Sequence, residues 1–332
     1  MLRRGLLTLV MVLLSLMVQA QQERQFVFHY SFKVNNVKPG QKLRVWIPLA
    51  QSGLYQDVRV LDEKGDLPLK SGHEQEYGNE LLYGEAIKAA KSEYQFSVDY
   101  YVVRHEERVL VKGKAAAAPD KETSQALLAR FEQPDKLVPV DGLPGRLAAE
   151  QTRNAVTNLE KARASYDYVF HTMRYDKSGT GWGHGDALWA CDSKRGNCTD
   201  FHSLFIAMAR AEHIPARFAI GFQLPTDKHS AEIPGYHCWA DFYTDSSGWI
   251  PVDISEAWKH PDLQDYYFGQ RDANRIQFTV GRDLVLTPRQ AGPPLNYFIY
   301  PYVEIEGKEY ANVAIAFSFE DRPAAGVSAS IR

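Results

Sequence analysis

The chain has little cysteine: Cys191, Cys198 and Cys238 are the three thiols in 332 residues. Three are too few for a disulfide scaffold, and an odd number leaves at least one thiol unpaired in a monomer. It also lacks any cluster of Lys and Arg. With 38 basic against 41 acidic side chains and a net charge of −3, nothing supplies the basic stripe that phosphate binding requires, which excludes nucleic acid as a partner. No internal repeat or long low-complexity tract is present. Beyond the N-terminus no apolar run approaches the roughly 20 residues that span a bilayer.

What is there begins with Arg3 and Arg4, followed by an apolar run from Leu6 to Val18 interrupted only by Thr8 and Ser15. Val18-Gln19-Ala20 then precedes the polar Gln21-Gln22-Glu23-Arg24. This is the pattern of a signal peptide over residues 1–20, with cleavage expected after Ala20. No cysteine that could accept a lipid lies near that point. The expected product is therefore exported, periplasmic or extracellular, and is not stably inserted in a membrane. Without residues 1–20 the chain still exceeds what one core usually serves, so two domains are expected.

From Gln25 the sequence alternates, with Phe26, Phe28, Tyr30, Phe32 and Val34 on one face and Val27, His29, Ser31 and Lys33 on the other. Leu43–Ile47, Val58–Leu61 and Tyr94–Tyr100 repeat this period of two between turns, which predicts a small β-sandwich over residues 21–112. Small and turn-forming residues from Gly113 to Asp120 open a linker, placed at 113–145. Beyond it, over 146–332, the period changes. Val156, Leu159, Ala162, Tyr166, Val169 and Phe170 recur at helical intervals. Cys198–Ala211 is small or apolar at most positions and predicts a helix buried on most sides, ended by Ile214-Pro215. Strands are expected at Arg217–Phe222, Tyr236–Tyr243 and Trp249–Val252. The tail, with Tyr297–Ile305, a turn at Glu306-Gly307-Lys308 and alternating Val313, Ile315, Phe317 and Phe319, reads as a hairpin extension.

Three residues in the second part carry chemistry. Cys198 opens the buried helix, where the helix dipole and unpaired backbone N–H groups favour thiolate over thiol. His237 lies on a strand whose alternation puts it on one face with Trp239 and Asp241, and Cys238 on the opposite face, turned away from it. Asp253 ends the next strand. If the intervening turn is the three-residue loop Asp245-Ser246-Ser247, Thr244 pairs with Gly248 and Asp253 falls opposite Trp239, a diagonal same-face neighbour of His237. A two- or four-residue loop reverses the face of Asp253.

The spacing Gly196-x-Cys198-x-Asp200-Phe201, the helix residues Leu204-Phe205 and Ala209-Arg210-Ala211, Ile214-Pro215-Ala216-Arg217, Gly221, His237-x-Trp239 and Gly248-Trp249-x-x-x-Asp253 resemble the transglutaminase-like cysteine enzyme superfamily. The resemblance spans roughly Val156–Ser255. It implies an α+β fold with a papain-like core, a central helix against an antiparallel sheet, beside the N-terminal β-sandwich. It also implies a catalytic set in which Cys198 is the nucleophile, His237 the general base and Asp253 the orienting acid. The implied chemistry is acyl transfer from an amide of a peptide or protein substrate through a Cys198 thioester, finished by water (peptidase or amidase) or by an amine (transamidase), with no cofactor. His202 departs from the common pattern, in which a small or apolar residue is more usual there. Selectivity is expected from the loop Leu224–Gly235.

Other readings stay open at this level. His184, Cys191, Cys198 and His202 invite zinc, but seven residues separate the two cysteines where structural zinc sites pair ligands two to four apart. A Cys191–Cys198 disulfide would occupy the nucleophile, and a Cys191–Cys238 disulfide would leave it free. A non-catalytic scaffold of the same fold would only bind partners. Trp182 and Trp189 could each lend an indole N–H to an oxyanion, although packing is the commoner role of tryptophan.

Overall fold

A computed structural model describes residues 21–116 and 123–322; the signal-peptide segment 1–20 lies outside the described residues. The first part of the chain supplies strands β1 (Glu23–Val34), β2 (Leu43–Pro48), β3 (Gln56–Gly65), β4 (Leu69–His73), β5 (Glu80–Ala86) and β6 (Tyr94–His105). Helices α1 (Gln125–Arg130), α2 (Gly142–Thr152), α3 (Asn158–Thr172), α4 (Ala187–Ser193) and α5 (Cys198–Ala211) follow. Next come β7 (Ala216–Gln223), β8 (His237–Thr244), β9 (Gly248–Val252), α6 (Ile254–Lys259) and β10 (Arg275–Val280), then β11 (Tyr302–Ile305) and β12 (Val313–Asp321).

The fold is α+β. Two five-stranded antiparallel sheets hold the N-terminal strands, in the orders Ser230–Glu232, β12, β1, β6, β3 and Lys308–Glu309, β11, β2, β5, β4. Period-two patterning dictates the first of these. Phe26, Phe28, Tyr30, Phe32 and Val34 of β1 and Tyr94, Phe96, Val98, Tyr100 and Val102 of β6 are all buried, and Phe32 stacks on Phe96 with ring centres 4.8 Å apart. Each such side chain contributes about 1.5–3 kcal/mol by leaving water. Strand β2 is covered on both faces, and its second face carries Arg44 as well as Trp46. Leu43, Val45 and Ile47 join the main core, while Trp46 packs with Tyr302 and Tyr83 on the other side.

The C-terminal strands close this assembly. The turn at Glu306-Gly307 makes a hairpin only with the short Lys308–Glu309 strand; β12 crosses to the other sheet and pairs along the length of β1, from Phe26 opposite Asp321 to Val34 opposite Val313. Thus β11 and β12, adjacent in sequence, serve opposite sheets.

A four-stranded antiparallel sheet, in the order β9, β8, β7, β10, carries the helices. Helix α5 lies against it, with α2, α3, α4 and α6 around the helix. Every residue from Cys198 to Arg210 is buried. Ala240 and Phe242 of β8 face this helix, and Phe205 meets Phe242 edge to face at 6.1 Å. The buried Arg210 is tolerated because it is fully engaged: Nε donates to the Ala216 carbonyl, and NH1 to Asp135 at 2.7 Å. Helix α3 starts later than the periodicity suggests. Thr157 and Glu160 form a capping box, so Val156 precedes the helix and is exposed. The strands joining the sheets are aromatic: Phe28 packs on Phe222 at 5.1 Å, Tyr30 on Phe278 at 5.6 Å and Phe222 on Phe317 at 4.4 Å. Gly221 is required where β7 bulges against β10, since a Cβ there would lie 1.9 Å from the Ile276 carbonyl oxygen.

Among the described residues no helix is long and apolar enough to cross a membrane.

Candidate active site

The N-terminus of α5 is built by its own sequence. Asn197 is the N-cap, its side-chain oxygen accepting the Thr199 N–H at 2.9 Å. Asp200 accepts the Asn197 N–H at 2.9 Å and also those of Gly183 (2.7 Å) and Gly185 (3.0 Å). One carboxylate therefore pins the glycine-rich loop 179–185 to the helix start. Gly196 is what lets it in: its φ is +148°, and a Cβ would fall 2.2 Å from the Asp200 carboxylate. Cys198 is the first residue of the helix, where its N–H has no intrahelical acceptor.

Strand β8 begins at His237 and β9 ends one residue before Asp253. The hairpin between them has the three-residue parity: Thr244 pairs with Gly248 and Ala240 with Val252, which puts Asp253 opposite Trp239. His237 Nε2 lies 2.8 Å from Asp253 Oδ2. With that nitrogen committed, Nδ1 is the one left for the Cys198 thiol, and the two groups are near enough to shift one another's titration. All three predicted residues are thus brought together, and each is nearly sealed from solvent, with Cys198 2 % and His237 5 % exposed.

The electrostatics favour an ion pair. Burial alone would raise the Cys198 pKa, but its interactions with Cys238 and His237 and the charge of His237 outweigh it, leaving the thiol well below its ordinary value. Burial would likewise lower His237, yet the Asp253 charge and hydrogen bond push it up to about 10. Asp253 is held well below the carboxylate range: burial opposes this, and the His237 charge and hydrogen bond, then Arg275, overcome it. Its two oxygens divide the work. Oδ1 caps α6 through the Glu256 N–H and accepts from Ser255 Oγ, both at 3.2 Å, while Oδ2 takes His237 and, at 2.9 Å, Arg275 NH1.

Alternation gave Cys238 its face and not its neighbours. The residue does lie on the sheet face opposite His237, but that is the face α5 covers. Its Sγ is 3.7 Å from Thr199 Oγ1 and 3.9 Å from His202 Nδ1, and it contacts the Cys198 thiol. His237, the first residue of its strand, reaches Cys198 around the strand end. Burial, with the Cys198 interactions behind it, keeps the Cys238 thiol protonated, and its S–H donates to Thr199 Oγ1. All three cysteines are free and buried, with no disulfide between any pair.

His202, without a role in the sequence, has one here. Its Nε2 accepts the Ile254 N–H at 3.0 Å, fixing the residue next to Asp253 to the central helix. Burial holds it neutral, with a pKa pushed down to about 4 from 6.5. An unfolded chain takes up this proton as pH falls through 6.5, whereas the folded one does not until about 4. The stability His202 confers is therefore full above pH 6.5 and is lost on acidification toward 4. Two and a half units correspond to about 3 kcal/mol. Urea unfolding of His202→Asn at pH 7 and 4.5 should show a smaller acid loss than in the parent; equal losses contradict the assignment.

The remaining sequence candidates fall elsewhere. Trp182 Nε1 donates to the Gly179 carbonyl at 3.2 Å, and the Trp189 indole packs against Gly181, so both tryptophans hold the loop. The His184 carbonyl is bound by Arg282 and Asn296. Cys191 sits on α4 with its pKa pushed up by burial to about 11. Among the described residues no group of three or more His, Cys, Asp or Glu side chains is disposed to hold a metal ion. The loop Leu224–Gly235 is anchored by Arg24, which donates to the Pro225 and Lys228 carbonyls, and its Ser230–Glu232 strand pairs with β12. The sequence reading missed Arg275. Its one signal was a cation opening an otherwise apolar alternating strand.

Comparison with known proteins agrees with the geometry. Residues 145–254 match the profile of the transglutaminase-like superfamily. An uncharacterized protein of Haemophilus influenzae is 26% identical over 322 residues, covering 85% of this chain and 86% of that one. A crystal structure from Cytophaga hutchinsonii, described as a candidate cysteine protease, superposes with a TM-score of 0.57 at 16% identity over 91% of this chain and 98% of its own. At that identity the likeness is one of fold. Residues 145–254, which hold Cys198, His237 and Asp253 together, are a domain of the transglutaminase-like superfamily.

Proposed function

We propose that the protein is an exported thiol enzyme that transfers acyl groups from amides of peptide or protein substrates through a thioester on Cys198. The observation that carries this reading is the burial of the Cys198 thiol at a helix N-terminus together with an imidazole whose Nε2 is 2.8 Å from a buried carboxylate. His237 takes the thiol proton and the thiolate attacks the carbonyl carbon. The tetrahedral oxyanion forms beside the Cys198 N–H at the helix N-terminus. The imidazolium then protonates the departing amine, leaving a thioester and neutral His237. Water or a second amine, deprotonated by His237, attacks the thioester and frees the thiol. The N-terminal apolar run of the sequence supports export to the periplasm or beyond.

The test offers casein and peptidoglycan-derived peptides with and without a primary amine, comparing the parent protein with Cys198→Ala. Released amine or an amine-linked product should appear with the parent and not with the variant, and the amine should divert product if it is an acceptor. Identical product profiles for parent and variant would leave a binding scaffold as the reading.

A further inference from the structure

Arg275 opens β10, beyond the segment that matches the superfamily, and its side chain is completely buried. Its guanidinium forks between two carboxylates: NH1 is 2.9 Å from Asp253 Oδ2, the oxygen that also takes His237, and NH2 is 2.6 Å from Asp272 Oδ2. Its plane lies over the Trp239 ring, 5.1 Å from the centroid, on the sheet face shared by His237. The Asp253 oxygen thus serves two cations, an imidazole and an arginine.

We propose that Arg275 is a positioning residue that fixes Asp253 and, by sharing its Oδ2, limits how tightly His237 holds its proton. This rests on the thioester reading above. A carboxylate facing only the imidazole would hold the imidazolium so firmly that protonation of a leaving amine is disfavoured. An arginine on the same oxygen withdraws part of that charge while keeping Asp253 ionised, and its planar fork suits two carboxylates where a lysine ammonium could not span them. Asp272 sets how much of the arginine's charge is left for Asp253.

The other charges around this group are fixed by the fold. Helix α5 presents Cys198 and the neutral His202, β8 presents Cys238, and α6 presents Glu256, whose carboxyl feels the His237 charge. Tyr266 and Tyr267 precede Asp272 and lie near Arg275. Behind them Arg271 pairs with Glu107 and Asp241, and Arg104 with Glu107. None of these other groups bonds Asp253 Oδ2.

The experiment is the pH profile of Cys198 alkylation by iodoacetate, read by peptide mapping. An anionic reagent reacts fastest with a thiolate beside an imidazolium, so the descending limb reports loss of the His237 proton. Arg275→Gln should move that limb up by about one unit, since a charge at this distance shifts a pKa by that order. Asp272→Asn, which leaves Arg275 wholly to Asp253, should move it down, and Arg275→Lys should restore it toward the parent. If Arg275→Gln does not fold, Asp272→Asn carries the test. Unmoved limbs, or shifts of the same sign in the Gln and Asn variants, would overturn the proposal while leaving the thioester reading intact; a parent without any thiolate–imidazolium window would instead remove that reading.

Discussion

His237→Ala should lower turnover of an amide substrate by about three to four orders of magnitude, with far less effect on substrate binding. The size follows from what the ring does. In the proposed mechanism it takes the proton from Cys198, stands beside the thiolate as a cation, and returns the proton to the leaving amine. Alanine removes all three functions at once, and no second base replaces it: His202 accepts the Ile254 N–H and is weakly basic, its pKa pushed down to about 4, and Asp253 is bonded to Arg275. Asp253→Asn should cost less, because the ring itself remains and the one amide oxygen still accepts on one side, either from Ser255 and the Glu256 N–H or from Arg275. Its amide offers the ring one oxygen and no charge, so the His237 proton should be lost at lower pH. Steady-state kinetics over pH for the two variants separates the effects. Comparable rates for His237→Ala and the parent would exclude acid–base catalysis by this residue.

Asp200→Ala should be the most damaging change to stability near the site, at about 3–5 kcal/mol. Three backbone N–H groups, from Gly183, Gly185 and Asn197, lose their shared acceptor, and two of these are fully enclosed. The carboxylate also sits at the positive end of α5. Burial raises its pKa despite those three bonds, so acidification protonates the folded carboxyl before the unfolded one and this group's titration does not itself cost stability. Urea denaturation at pH 7 measures the difference; a loss under about 1 kcal/mol would mean the glycine-rich loop is held some other way. Asp200→Asn keeps one acceptor oxygen and should fall between.

Local patterning carried most of what could be read in advance. Alternation found β1 and β6, and the apolar run after Cys198 found α5, because burial on one face or all faces leaves a direct trace in composition. The position of Asp253 was legible too, since the parity of a hairpin turn decides which face a strand residue occupies. What was hidden depends on pairing over long sequence distance. Nothing in Val313–Asp321 indicates that it lies beside β1 rather than beside β11. Cys238 was assigned its face but not its surroundings, because alternation says which side a residue takes and not which helix covers it. Arg275 and Asp272 are ordinary charged residues in the sequence. Their meaning comes from β10 docking next to β7, which carries a guanidinium to a carboxylate 22 positions earlier.

The central claim is that Cys198 is a thiolate held by His237 at neutral pH. Its most direct measurement is the rate of iodoacetate modification of each cysteine in the folded parent protein across pH. The account predicts that Cys198 reacts fastest, over a bell that rises well below 9.0 and falls near 10, while Cys191 reacts only as pH approaches 11. A Cys198 rate that climbs once, centred near 9.0 with no decline, would mean an ordinary thiol beside an uncharged ring and would contradict the account.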